Sequence, residues 1–224
     1  MYNTLKRITS LSNLCPACAV VVLVAAGCGG VGEYMPLEPD NWWEYRTEVY
    51  ETIGAMEQVS YRDLRYAEIT FSERSELHGH IHWMTRVMDD VNAAYGYYIS
   101  TSNGALTIYQ ELESTSGEVY LAEPLEVGNT WTTHARQDPE ILVTGEILSV
   151  SDTVHAPFET FTDCIRVQLV STRDVLEQYP GPESITWEFW FAAGFGIVRS
   201  TSVIENPVWM FRRRVTQVLV DYSL

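Results

Sequence analysis

Apolar and polar positions alternate with a period of two along much of the chain beyond residue 40. Trp43, Tyr45, Thr47 and Val49 fall on one face of an extended segment; Phe161, Asp163, Ile165, Val167 and Leu169 repeat the pattern, and so do Trp187, Phe189 and Phe191. Successive side chains of a strand point to opposite faces, so this alternation predicts half-buried strands, and long heptad-like periodicity is absent. Turn-forming clusters separate the segments: His78-Gly79, Asp89-Asp90-Val91-Asn92, Ser102-Asn103-Gly104, Tyr179-Pro180-Gly181-Pro182 and Glu205-Asn206-Pro207. Their spacing suits hairpins with about 8–12 residues per strand. The expected fold is all-β, an antiparallel meander forming a curved half-barrel or a sandwich. Ala55 to Arg65 is the one ambiguous stretch, with room for a short helix.

A faint internal repeat runs through the pattern. Pro36-Leu37-Glu38-Pro39-Asp40-Asn41-Trp42-Trp43 matches Pro124-Leu125-Glu126-Val127-Gly128-Asn129-Thr130-Trp131, sharing Pro-Leu-Glu-x-x-Asn-x-Trp at an offset of 88. A weaker echo pairs Tyr95-Gly96 and Ser100-Thr101 with Phe195-Gly196 and Ser200-Thr201 at an offset of 100. In each motif Asn with Asp or Gly stops the incoming chain in a tight turn, and the Trp opens a strand and plugs one end of the core. The expected domain, residues 34–224, is one continuous fold of two related β-units, 34–120 and 121–224. The alternative is a single sheet with two similar turns.

The first residues read differently. Lys6 and Arg7 form a basic start, no acid occurs before Glu33, and an apolar stretch of 14 residues runs from Leu14 to Gly27, broken by Pro16. About 20 residues are needed to span a bilayer, so the stretch reads as a secretory signal rather than a retained helical anchor. Ala25-Ala26-Gly27-Cys28 resembles the lipobox of bacterial lipoprotein precursors, with Ala25 where an aliphatic is usual. That resemblance implies that residues 1–27 are a signal peptide, that Cys28 is acylated, as by palmitate, and that the new amine is usually acylated too. The competing reading is an ordinary signal cut after a small residue, with Cys28 incidental. Each buried methylene contributes ~0.8 kcal/mol and two or more chains hold a protein effectively permanently, so the bilayer is the expected partner through Cys28 alone. Residues 28–33 are then the acylated cysteine and a tether, with Gly29 to Gly32 flexible. Gly29, rather than Asp, after Cys28 resembles lipoproteins sent to the outer membrane, facing the periplasm or the outside.

Charge and cysteines follow from this. The net charge is −16, and loss of residues 1–27, which carry Lys6 and Arg7 and no acid, takes it to −18. Nucleic acid and bare anionic lipid are poor partners for such a chain. Cys15 and Cys18 leave with the signal, so Cys164 becomes the sole free thiol and no internal disulfide is expected.

Three motifs, the first of them the second copy of the repeat, resemble those of a family of uncharacterised bacterial surface lipoproteins. They are Pro124 to Trp131, then Phe161-Thr162-Asp163-Cys164-Ile165-Arg166-Val167, and Ala193-Gly194-Phe195-Gly196-Ile197-Val198-Arg199. The resemblance covers most of residues 34–222 and implies an all-β lipoprotein; it brings no activity with it. The first motif copy departs from the family pattern at Asp40, where Gly is usual. A looser likeness to the curved half-barrels of lipoprotein carriers is one of fold alone.

Candidate chemistry is sparse. His78, His80 and His82 alternate as metal-binding strand histidines do, but Gly79 at a turn would split His78 from the other two, and no further ligand stands nearby in sequence. Asp89-Asp90 and Glu111 with Glu113 are paired carboxylates at expected turns or strand ends, without a calcium-loop pattern. No nucleophile elbow, phosphate loop or dinucleotide fingerprint occurs. Gly194-Phe195-Gly196 reads as a turn or bulge, Cys164 as a packed thiol on the face opposite Ile165 and Val167, and Arg212-Arg213-Arg214 as partners for carboxylates on neighbouring strands. Trp187, Phe189, Trp190 and Phe191 occupy both faces of one strand, which makes it central or makes one face the lining of an apolar groove. The expected role is a membrane-anchored, non-enzymatic protein of the cell envelope, binding or structural, with an envelope protein partner left open and no cofactor. The alternatives are a carrier or chaperone for an apolar ligand, favoured by a concave cavity of several hundred Å³, and a metal-binding protein or enzyme using His80 and His82.

Overall fold

The computed structural model of the chain describes residues 30–54, 56–60, 66–75, 77–88, 91–135, 138–173 and 183–224. The signal segment, Cys28, Asp89-Asp90 and the turn at 179–182 lie outside these residues. A 3₁₀ turn, Val31–Tyr34, precedes thirteen strands: β1 Trp42–Ile53, β2 Met56–Ser60, β3 Tyr66–Ser75, β4 Gly79–Met88, β5 Val91–Ser100, β6 Ala105–Tyr109, β7 Glu118–Ala122, β8 Thr130–Ala135, β9 Asp138–His155, β10 Thr160–Arg173, β11 Glu183–Ala192, β12 Gly196–Asn206 and β13 Phe211–Ser223. The described part of the ambiguous stretch, Met56–Ser60, is strand and not helix. Tertiary pairing decides it, because Ser60 to Met56 lie in register on Val49 to Ile53 of β1.

All strands belong to one antiparallel sheet, in the order β7-β6-β5-β4-β3-β1-β13-β12-β11-β10-β9-β8, with β2 also on β1. Two meanders, β3 to β7 and β8 to β13, therefore lie either side of β1. The first and last strands of the domain pair with each other from Trp42↔Ser223 to Ile53↔Phe211. The two ends of the strand order meet without a ladder between β7 and β8. Side chains span the seam instead: Trp131 Nε1 donates to Val119 O (3.1 Å), Thr133 Oγ1 donates to Gly117 O (2.8 Å) and accepts from Val119 N (3.2 Å). The sheet is a roll left open along one seam.

The expected alternation holds in β1, where Trp43, Tyr45, Thr47 and Val49 are buried. In β10 it slips. Phe161 is buried, Asp163 is exposed with φ 55°, and both Cys164 and Ile165 are buried. The register against β9 shifts between Phe161 and Cys164 and again at Arg166. Asp163 is the extra residue of a bulge, so it leaves the face of Ile165 and Val167, and Cys164 turns inward instead of taking the opposite face. Strand lengths also exceed expectation, β9 reaching 18 residues. The turns at Asn103-Gly104, Gly194 and Met210 have positive φ, and Asn206 Oδ1 caps its turn by accepting from Val208 and Trp209 N.

The two Pro-Leu-Glu-x-x-Asn-x-Trp motifs build one and the same turn. Asn41 Nδ2 donates to Pro36 O (2.8 Å) and Asn129 Nδ2 to Pro124 O (2.9 Å). Asn41 N reaches Glu38 O, and Asn129 N reaches Glu126 O, both at 3.2 Å. Asp40 stands at φ 70° where Gly128 stands at φ 85°. Asp tolerates the left-handed region better than most residues, which explains its departure from Gly. The first motif leads into β1, the second into β8. Their tryptophans differ in fate: Trp43 is fully buried with Nε1 on Phe195 O (2.6 Å), whereas Trp131 is half-buried and lies over Gly145.

The tether is shorter than its glycines suggest. Val31 is 1% exposed and Met35 2%, so the chain is packed from residue 31 onward. Val31 N donates to Glu123 Oε1 (3.2 Å) and Gly194 N to Glu33 O (2.7 Å), tying the 3₁₀ turn to the β7–β8 connection and the β11–β12 turn. Burial of Val31 outweighs the flexibility of Gly30 and Gly32.

Candidate ligand cavity

The inner face of the roll is not filled. It encloses a cavity of about 580 Å³, within the range of small-molecule sites. One wall comes from β5, β6 and β7, with Ile99, Leu106, Ile108 and Tyr120; the facing wall comes from β11, β12 and β13, with Trp187, Phe189, Ser202 and Val215. The walls touch where Tyr120 and Phe189 meet, ring centroids 4.8 Å apart. Met35, just after the 3₁₀ turn, forms the floor at one end, and Tyr45 beside it is fixed by donating to Ile197 O (2.9 Å). Lining side chains near that floor, Tyr97, Ile99 and Leu106, are buried; Asp138, Ile141 and Ile185 at the other end are half-buried. The cavity thus opens at the end remote from the 3₁₀ turn.

A polar row crosses this lining, part polar and part apolar, at one level. Ser200 Oγ donates to Gln217 Oε1 (3.0 Å) and Gln217 Nε2 donates to Thr47 Oγ1 (3.4 Å). Ser200 and Gln217 line the cavity, so part of their hydrogen-bonding capacity faces it. Glu118 and Asp138 add acids to the lining at the end remote from the 3₁₀ turn. The aromatic strand divides as its alternation allows: Trp187 and Phe189 line the cavity and Phe191 is buried in the core. Trp190 takes the outer face, where Nε1 donates to Asp152 Oδ2 (2.9 Å) and the guanidiniums of Arg199 and Arg166 lie 4.9 and 5.8 Å from its ring centroid. Burial would raise the Asp152 carboxyl, but bonds from Ser149 and Trp190 and the Arg166 charge outweigh it and hold it below the usual range.

The other sequence candidates are scattered. His78 sits on the β3–β4 turn, its Nε2 2.8 Å from Ser114 O and its ring against Tyr109 (centroids 4.0 Å). His80 and His82 follow on β4, and the side chain of His80 lies outside the described residues. His134 and His155 contact Pro139 O and Thr160 Oγ1 respectively. Among the described residues no group of three His, Cys, Asp or Glu side chains converges. Glu113 accepts weakly from Ser75 Oγ (3.5 Å). Arg212 pairs with Glu205 (3.0 Å) and Arg213 with Glu51 (3.2 Å), as their strand positions lead one to expect. Tyr45, Tyr97, Tyr120 and the polar row carry no signal of their own in sequence, because which strands face each other across the roll is a property of the whole topology.

Cys164 is a packed thiol, fully buried, and its pKa is pushed up to about 11 by burial and then by the Asp152 charge. The unfolded thiol ionises near the ordinary value, so between about pH 9 and 11 the unfolded state binds fewer protons and stability falls as pH rises. The wild-type protein is expected to lose about 2–3 kcal/mol more than Cys164→Ala over that window, measured by urea unfolding at stepped pH. Parallel loss in both chains would contradict the assignment.

No family model matches the chain, and no curated protein sequence does. In fold it is similar to a provisionally named lipoprotein from Parabacteroides distasonis, with a TM-score of 0.50, 12% identity and coverage of 85% of this chain and 98% of that one. It is likewise similar to a provisionally named exported protein with a YmcC-like fold from Bacteroides fragilis, with a TM-score of 0.50, 11% identity and coverage of 84% and 97%. At such identities the likeness is one of architecture, and it sets this all-β roll beside exported and lipoprotein-like folds.

Proposed function

We propose that this chain is an exported protein of the cell envelope, held on a membrane, most simply the outer one, by acyl chains on Cys28, and that it binds an apolar ligand in the cavity of its roll. The cavity is the observation that carries the binding half of this reading. The cavity of about 580 Å³ is open to solvent, and it sets Trp187, Phe189, Tyr120 and Ile108 beside the polar side chains of Ser200, Gln217, Glu118 and Asp138, the mixture by which a pocket holds an apolar body and fixes its orientation. The anchoring half rests on the Cys28 segment and on the likeness of fold to exported proteins. Among the described residues no helix is long and apolar enough to cross a membrane. The role is one of binding and carriage rather than catalysis, which makes the carrier reading preferable to a purely structural one.

The test is titration with N-phenyl-1-naphthylamine, a neutral apolar probe whose fluorescence rises on leaving water. The wild-type protein is expected to bind it saturably, and Ser202→Trp, which fills the space between Trp187 and Val215, is expected to weaken binding at least tenfold. An unaltered titration in that variant, with its fold intact by circular dichroism, would defeat the cavity as the site.

A further inference from the structure

The two ends of the roll differ in chemistry. Around the 3₁₀ turn, residues 30–41, 101–104, 123–129, 155–163, 193–195 and 221–224 carry Glu33, Glu38, Asp40, Glu123, Glu126, Glu159, Asp163 and Asp221, with His155 and no Arg or Lys. Cys28 is two residues before Gly30, a span of at most about 7 Å of extended chain. The opposite end bears the β12–β13 turn. There Val208, Trp209 and Met210 are 61, 46 and 68% exposed, and Ile53 beside them is 53% exposed. The β1–β2 turn is joined to this tip by Gly54 N donating to Met210 O (3.1 Å). Arg212, Arg213 and Arg214 follow directly, and they form the one run of three basic residues in the chain.

We propose that Val208–Met210, backed by Arg212–Arg214, is a docking tip for an anionic phospholipid bilayer other than the one that holds Cys28. Large apolar side chains on a turn, with arginines one step behind, match the boundary between acyl chains and phosphates. Arg212 and Arg213 are paired with Glu205 and Glu51 at half-exposed positions. Such surface pairs are worth under about 1 kcal/mol, so a guanidinium exchanges a carboxylate for a phosphate at little cost. Glu51 and Glu205 flank the arginines, Glu118 and Asp138 lie at the same end of the roll, and the chain is acidic overall, so the surface is repelled everywhere but at the apolar and basic tip, which confines contact to it. The 13 residues of β13 place the tip roughly 40 Å from the anchored end. The cavity opens at the tip's end, so a docked tip brings that opening to the bilayer.

This rests on the anchored-carrier reading, and the experiment separates the two. Full-length acylated protein is placed in donor vesicles of phosphatidylcholine and mixed with acceptor vesicles containing phosphatidylglycerol, with tethering read by energy transfer between the two populations. Tethering is expected with phosphatidylglycerol acceptors and not with phosphatidylcholine ones, and a Trp209→Ser/Met210→Ser protein is expected to lose it about tenfold. Arg212→Gln/Arg214→Gln is expected to weaken it and flatten its salt dependence. Flotation with the donors reports the anchor separately. Protein that floats but tethers no acceptor, or tethers equally after the Trp209 and Met210 changes, overturns the tip. Association of copies in solution that is lost in Trp209→Ser would assign the tip to a second copy and equally overturn the bilayer. Protein that fails to float defeats the anchor itself.

Discussion

A Cys28→Ala chain is expected to keep residues 1–27, whereas the wild-type chain is expected to begin at an acylated residue 28. The cut in lipoprotein precursors follows acylation of the cysteine, and the resemblance of Ala25-Ala26-Gly27-Cys28 to that signal carries the same order to this chain. Its composition supplies an unusually clean readout. Lys6 is the sole lysine of all 224 residues, and every other basic side chain but the histidines is arginine. Loss of residues 1–27 therefore removes every lysine, and acylation of the new terminus removes the last primary amine. Membrane-extracted wild type is expected to take up no amine-reactive label, or one label if the Cys28 amine is left free, and its intact mass to include acyl chains. Cys28→Ala is expected to be heavier by the retained segment and to label at Lys6. A wild-type protein that starts at another residue without acyl mass would remove the anchoring claim.

Trp43→Ala carries the second large effect. Trp43 is completely buried, it donates to Phe195 O at 2.6 Å, and with Met35 it packs against Gly196. Truncating a buried tryptophan costs about 3–5 kcal/mol, and a carbonyl left without its donor adds ~1–3 kcal/mol. Against a total of about 5–15 kcal/mol for a native domain, the variant is expected to be at the edge of unfolding at room temperature. The matching change in the second motif, Trp131→Ala, is expected to cost about 1–2 kcal/mol, because Trp131 is half-buried at the seam. Urea midpoints of both variants measure the difference. Equal losses would mean that Trp43 is no more a core residue than Trp131.

These contrasts show how far residue patterns reach. The alternation of Trp43, Tyr45, Thr47 and Val49 names the buried face of β1 because a strand has a period of two and nothing interrupts it. The same rule fails at Asp163, where a single left-handed residue shifts the register and carries Cys164 inward; neither its type nor its spacing announces a bulge. Val31 between glycines reads as tether, yet it is held by Glu123, 92 positions away, a contact no local pattern contains. The Trp187–Phe191 run was legible as aromatic on both faces. That Trp187 and Phe189 border empty space, and not packed side chains, depends on where β5 to β7 come round. Of the turns within the described residues, those at His78-Gly79, Asn103-Gly104 and Asn206-Pro207 were legible, since few residue types satisfy a positive φ or cap a turn, whereas the left-handed Asp163 and Met210 carried no such signal.

The seam between β7 and β8 has a mechanical consequence. A closed barrel has a fixed circumference, set by ladders that resist stretching everywhere equally. Here one line around the circumference is held by side-chain bonds through Asn129, Trp131 and Thr133, each worth about 0.5–1.5 kcal/mol. Parting that line frees no backbone ladder and leaves every strand with its other neighbour. The roll is therefore most compliant along one known meridian, and on the proposed carrier reading ligands of different girth are expected to be accommodated there first, by hingeing of the wall and not by repacking of the core.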